Sequence, residues 1–259
     1  MISNRILKNE NIKSKDYKKE LIRPGQSDYT AMMKTDGYND YRGGGHNSGR
    51  LTALIVIVGA IFTRILGANG IRIASHIKQI KNIIDRDFID YERDFNILDA
   101  ASFSSLSKEK EMIEEIEKAK ANNDSLGGII ETAIIGIDDF IGEGFFDKVE
   151  SKIASLALAI PGVKGIEFGL GFDFVNKNGS EVVDELEYID GKVNIKNNYN
   201  GGINGGITNK NPIVFRTVFK PTPTIGKLVK TIDTLKCENV EHIFNGRHDP
   251  CIASRASII

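Results

Sequence analysis

At 259 residues the chain is long enough to bury a large core, as one big domain or two. Apolar content of 41% and charged content of 27% are those of an ordinary globular protein. The formal net charge of −1 excludes the basic surplus of a nucleic-acid binder.

The first 23 residues are polar and lysine-rich, without the apolar core of a signal peptide. Residues 2–7 read as a strand and residues 8–49 as largely loop. A helix is expected over about 50–67, ending near Gly67 and Gly70. Its apolar part, residues 51–62, is shorter than the roughly 20 residues a membrane span needs and soon meets Arg64. A buried helix and a cytoplasmic protein are therefore expected. Residues 71–80 alternate as a strand, and residues 107–121 put Met112, Ile113 and Ile116 on one side of a surface helix. Residues 122–128 form a turn. Residues 129–137 are nearly all apolar, as in a strand covered on both faces. Asp147 and Glu150 have capping-box spacing, and Phe146, Val149, Ile153, Leu156 and Ile160 follow at helical intervals up to Pro161-Gly162. Ile166, Phe168, Leu170 and Phe172 alternate as a strand. A Gly- and Asn-rich stretch over 176–212 carries a hairpin around Asp190-Gly191, and residues 213–220 form another strand. Helices separated from strands in this way give an α+β class.

Three blocks carry the chemistry. Residues 42–50 read RGGGHNSGR. Consecutive glycines let backbone approach a ligand closely, Asn47 or Ser48 can cap the following helix, and Arg50 adds a forked cation. This combination suits a phosphate or another anion. A bare glycine turn leading into a buried helix would look similar. The second block, residues 200–208, has two Gly-Gly pairs and could equally be a floppy loop. In the strand after it, Ile213, Phe215, Thr217 and Phe219 share one face, and Val214, Arg216, Val218 and Lys220 the other. Arg216 reads as a solvated charge. Lys220, beside Pro221-Thr222-Pro223-Thr224, reads as a ligand contact. The third block, residues 246–251, is GRHDPC, followed by Arg255. His248 has no second paired ligand, so a structural role outweighs metal binding. Cys237 and Cys251 lack metal-ligand spacing and are expected as free thiols. Arg50, Arg247 and Arg255 together suit a multiply charged carboxylate or phosphate substrate.

In sequence order these blocks resemble chorismate synthases. The pieces are SKDY (14–17), RPGQSDYT (23–30), DYRGGGHNSGR (40–50) and GEGFFDKVESKIASLALAIPGVKGIEFGLGF (142–172). NGGINGGITN (200–209), PIVFRTVFKPTPTI (212–225) and GRHDPCIASRA (246–256) complete the series. The resemblance implies a single domain over 1–259 with a β-α-β sandwich of antiparallel sheets enclosing helices, assembled as a homotetramer. It implies elimination of phosphate from 5-enolpyruvylshikimate 3-phosphate to give chorismate, with reduced FMN. Flavin contacts then fall on His46, Asn47, Ser48, Pro161, Gly162, Gly205, Lys220, Pro221, Thr222, Pro223, Thr224 and Arg247. Substrate contacts fall on Arg50 and Arg255. No metal, nucleic acid or membrane is implied.

Relative to the family pattern, an opening Glu-Ser-His-Gly segment with substrate-binding arginines is not matched, nor is a closing helix with an aspartate. The member implied is partial. Gln26 stands where the family motif has a histidine, and an amide cannot deliver a proton near neutral pH. Each lost general acid or base typically costs about 10²–10⁴-fold in rate. His46 is the candidate substitute. The alternative reading is an impaired fragment that retains at most FMN binding.

Overall fold

The computed structural model describes residues 18–244 and 249–258. The strand expected at 2–7, the 14–17 motif, Arg247 and His248 lie outside them.

The described fold is α+β, as expected. Its centre is a five-stranded sheet of order β2-β1-β3-β9-β4, antiparallel throughout. These strands are β1 (Arg72–Ile80), β2 (Ile83–Ile84), β3 (Gly128–Ile135), β4 (Val163–Phe168) and β9 (Ile213–Phe219). The apolar run around 130 is the middle strand, and every residue of β3 is buried or half-buried. Two-sided cover explains its composition. β4 ends earlier than its alternation suggested. Leu170 and Phe172 fall outside it, Phe172 in a 3-10 turn, Gly171–Asn176. Alternation reports a shared face, and the tight turn at Gly169 ends the extended backbone first.

The sheet has a core on each face. On one, Ile77, Ile80, Ile130, Val163 and Phe219 pack with Met112 of α4 (Glu109–Ala121) and with α6 (Ala253–Ala256). Met112 is wholly buried, which stabilises by about 1.5–3 kcal/mol. Ile113, expected beside it, is 39% exposed. On the other face, Ala74 and Ala133 meet Phe88 and Phe95. Phe95 belongs to α3 (Tyr91–Ala100), whose N-terminus is capped by the Asp90 carboxylate accepting from the Arg93 amide. Asp94 accepts both terminal nitrogens of Arg86, which, with backbone amides, holds its carboxyl at about 2.

One expectation fails in the first two helices. The stretch 8–49 is largely loop among its described residues, as expected, with one short helix, α1 (Asp28–Lys34), within it. Helix α2 (Ala53–Ala68) forms as expected after a 3-10 turn, Gly49–Thr52, but none of its residues is buried. Its run Gly49–Ala68, at mean hydropathy 2.2, is long and apolar enough for a span by length and composition alone. A helix apolar all round needs cover all round. Among the described residues β1 and the leading turn pack on it.

Helix α5 (Val149–Ala159) is present, but the expected capping box is not. Asp147 closes a 3-10 turn, Phe145–Asp147, and pairs with Lys152 at 3.2 Å. Phe146 and Leu156, expected on its apolar face, are 94% and 74% exposed. The hairpin at Asp190-Gly191 is found as β5 (Leu186–Ile189) and β6 (Lys192–Ile195). A further hairpin, β10 (Val229–Asp233) with β11 (Glu238–His242), forms from sequence without strong alternation.

Candidate functional site

Three of the sequence blocks converge at the end of β9. The Lys220 amide donates to the Gly162 carbonyl at 3.0 Å, which fixes Pro161-Gly162 beside the strand end. The Lys220 ammonium donates to the Gly25 carbonyl at 2.8 Å. The Gln26 side-chain nitrogen donates to Thr224 Oγ1 at 2.8 Å, and Thr224 is buried. Gly25 sits at φ +72, and a Cβ there would lie 2.8 Å from Pro223 Cβ. The RPGQ loop and the PTPT turn are thus pressed together where only glycine fits. Ser125 Oγ donates to the Thr222 carbonyl at 2.6 Å, tying that turn to the approach to β3.

The triple-glycine loop joins this cluster through Arg23. Its guanidinium binds the Asp28 carboxylate at 2.7 and 2.6 Å and donates to the Gly43 carbonyl at 3.1 Å. His46 and Asn47 lie exposed in a 3-10 turn, Gly45–Asn47. Ser48 performs the expected cap: its hydroxyl accepts from the Arg50 amide at 3.3 Å. The Arg50 side chain is exposed and makes no ion pair among the described residues. Arg255 differs, since it already pairs with Asp249 at 3.0 Å.

The second glycine block is ordered, not floppy. It forms a short hairpin, β7 (Ile203–Asn204) with β8 (Ile207–Thr208), turning at Gly205-Gly206. The Val149 amide donates to the Gly206 carbonyl at 3.0 Å, which seats the turn on the N-terminal end of α5. Pro161-Gly162 lies at the other end of that helix. Helix α5, 11 residues and about 16 Å long, thus has the Gly205-Gly206 turn at one end and the Lys220 cluster at the other.

Opposing charges run straight across the sheet beneath α3. His76, Glu131, Arg216 and Glu167 are successive Cα partners on β1, β3, β9 and β4. His76 Nε2 lies 3.4 Å from Glu131 Oε1. Arg216 Nε donates to Glu131 Oε2 at 3.0 Å, and Arg216 Nη1 to Glu167 Oε1 at 2.7 Å. Asp85 Oδ2, in the loop after β2, lies 3.8 Å from His76 Nδ1 and accepts from Ser105 Oγ and the Leu106 amide, both at 2.7 Å. Arg216 was expected as a solvated charge; its side chain is only 20% exposed. The cause is register, which places it between two carboxylates of neighbouring strands. One signal did exist in the sequence: Glu131 interrupts an otherwise apolar strand, and a carboxylate there needs a cation.

Burial pushes the His76 imidazole down, but Asp85 and Glu131 outweigh it and leave its pKa above the ordinary value. Burial pushes Glu131 up, but His76 and Arg216 outweigh that and hold it ionised. A histidine raised on folding contributes its full stability below the unfolded value of 6.5 and loses it as pH rises through the folded value. Urea unfolding from about pH 6 to about pH 9 is therefore expected to reveal falling stability that His76→Gln flattens. Equal slopes in the two proteins would refute this.

Among the described residues no cluster could hold a metal ion. Cys237 and Cys251 are free thiols.

Comparison with known proteins bears on the family and the fold. The family model described as chorismate synthase matches residues 3–259. The chain is 40% identical to the chorismate synthase of Korarchaeum cryptofilum over 257 residues, 98% of this chain and 71% of that protein. It is 42% identical to that of Pyrococcus abyssi over 258 residues, covering 97% and 70%. A crystal structure of chorismate synthase superposes with a TM-score of 0.68 at 28% identity, over 74% of this chain and 62% of that one. The order of motif blocks, the antiparallel sheet and these matches agree: the chain belongs to the chorismate synthase family, lyases of aromatic amino acid biosynthesis.

Proposed function

We propose that the chain binds reduced FMN and 5-enolpyruvylshikimate 3-phosphate and eliminates phosphate in a 1,4-anti sense to form chorismate. The observation that carries this is the Lys220 cluster. There an ammonium held by a carbonyl at 2.8 Å stands where the RPGQ loop, the PTPT turn and Gly162 converge. Neither Lys220 nor Arg50 has a carboxylate partner among the described residues, so both remain available to an anion. The donor set fits a phosphorylated, electron-rich ring: two such cations, a capped 3-10 turn and the backbone of Gly45 and Gly205, where even a Cβ would meet open space.

His46, Asn47, Ser48, Pro161, Gly162, Gly205, the 220–224 segment and Arg247 are the residues assigned to the flavin. Reduced flavin would supply an electron to the substrate as phosphate leaves and recover it afterwards. The chain's own residues orient, neutralise and exclude water. Arg50 is assigned to the substrate anions. Arg255 joins it only by sharing or leaving Asp249. Gln26 acts through its amide, donating to Thr224 at 2.8 Å and so closing the two loops on each other. That amide cannot deliver a proton near neutral pH, and His46 in the triple-glycine loop is the imidazole assigned to that role. We assign the protein to the cytoplasm as a homotetramer without nucleic-acid or membrane partners.

The test is anaerobic incubation with reduced FMN and substrate, following chorismate. Product is expected in the native chain. Lys220→Met is expected to weaken FMN binding about tenfold, the order of one charge-assisted hydrogen bond, with a melting temperature close to that of the parent. Unchanged affinity would remove Lys220 from the site. Flavin binding without product would favour the second reading, an impaired binder, for which the non-titrating Gln26 speaks.

A further inference from the structure

We propose that Arg216 is a positioning residue for the second glycine block, acting through the turn at Gly169. This rests on the reading that the block meets the flavin. Arg216 is too far inside the sheet to be part of the Lys220 cluster, yet it reaches beyond its ion pairs. While Nε and Nη1 bind Glu131 and Glu167, Nη2 donates to the Gly169 carbonyl at 3.0 Å. The same turn is held from the other side, because the Gly169 amide donates to the Val214 carbonyl at 3.0 Å. Glu167 Oε2 accepts from the Phe172 amide at 3.0 Å, so both ends of the turn are fixed by the Arg216–Glu167 pair.

The glycine block is built on that turn. The Leu170 amide donates to the Tyr199 carbonyl at 2.8 Å, and the Val214 amide to the Gly201 carbonyl at 3.2 Å. Gly201 packs so closely that a Cβ on it would lie 2.5 Å from the Gly169 nitrogen. From Gly201 the backbone runs directly into β7 and the exposed Gly205. A displacement of the Gly169 carbonyl is therefore passed to the hairpin with little slack.

Three directed donors on one planar group explain why arginine occupies the position. A lysine offers a point charge and cannot reach Glu131, Glu167 and the Gly169 carbonyl together. His76 and Asp85 complete the row and keep Glu131 in place at the far side.

Arg216→Lys keeps the charge and with it the buried pair to Glu131. It is expected to weaken FMN binding about tenfold and to speed amide hydrogen exchange at Gly169, Leu170 and Val214, while β1–β3 amides keep their protection. Glu167→Gln, which loosens only one arm, is expected to shift both readouts in the same direction by less. Unchanged exchange at these amides in both variants would overturn the proposal. So would acceleration spread evenly over the sheet, the mark of a merely structural residue. Should the native chain bind no FMN, the flavin reading fails, and the exchange pattern alone then decides the role of Arg216.

Discussion

Glu131→Ala is expected to destabilise the fold by about 3–5 kcal/mol, the cost of breaking a buried ion pair from one side. Glu131 is 1% exposed and lies between His76 and Arg216, while its Oε1 also accepts from the Phe88 amide at 3.4 Å. Removing the carboxylate leaves the buried Arg216 guanidinium without its Glu131 partner and His76 Nε2 without its neighbouring acceptor. Typical domains have about 5–15 kcal/mol in all, so this one change takes a large share. Denaturant titration measures it. Glu131→Gln retains the shape and some hydrogen bonding, and is expected to fall between. A loss below about 1 kcal/mol, the worth of an exposed pair, would show that the row is effectively solvated.

The second large effect is expected at Gly169. The residue adopts φ +57, and a Cβ would overlap the Tyr199 carbonyl oxygen and lie 2.6 Å from the Gly201 nitrogen. Left-handed backbone alone costs an alanine roughly 1–2 kcal/mol, and overpacking adds about 1–3 kcal/mol. Because the obstructing atoms are backbone, relief must come from moving the 199–201 segment. Gly169→Ala is therefore expected to lower both melting temperature and FMN affinity. Gly191→Ala is the control, with φ +78 and nothing within 4 Å of its Cβ. It carries the conformational cost without the overlap. Equal losses in the two variants would mean that the Tyr199 contact gives way freely.

Much of the sheet was legible from residue order. Strands β1, β3 and β9 and helices α2 and α4 stand within a few residues of their expected places, because alternation and helical spacing record which side faces apolar cover. On β9 the expected core face holds for Ile213, Thr217 and Phe219, which are buried, and Phe215 is half-buried. The opposite face, expected to carry solvated charge, is also core, with Val214 packed there and Arg216 largely covered. Hairpin β10–β11 was not legible. Its ladder is polar, with Lys230, Thr231, Glu238 and Glu241, and only pairing makes it a strand pair. The capping box at Asp147 failed for a local reason: residue 145 takes φ +55 and turns the chain before the helix begins.

The site divides along the same line. Motif order alone determined the family and the residue types that bear charge, since glycines and guanidinium groups in fixed blocks need no folding to be recognised. Whether a given cation is available to a ligand was decided by tertiary structure. Arg216 is consumed by two carboxylates from strands β3 and β4, Arg255 by Asp249, and Lys220 only by a carbonyl. The physical reason is that Coulomb and hydrogen-bond energies depend on distances across strand register and loop contact. Residues 85, 131, 167 and 216 are remote in sequence, and only the folded sheet brings their charges within reach of one another.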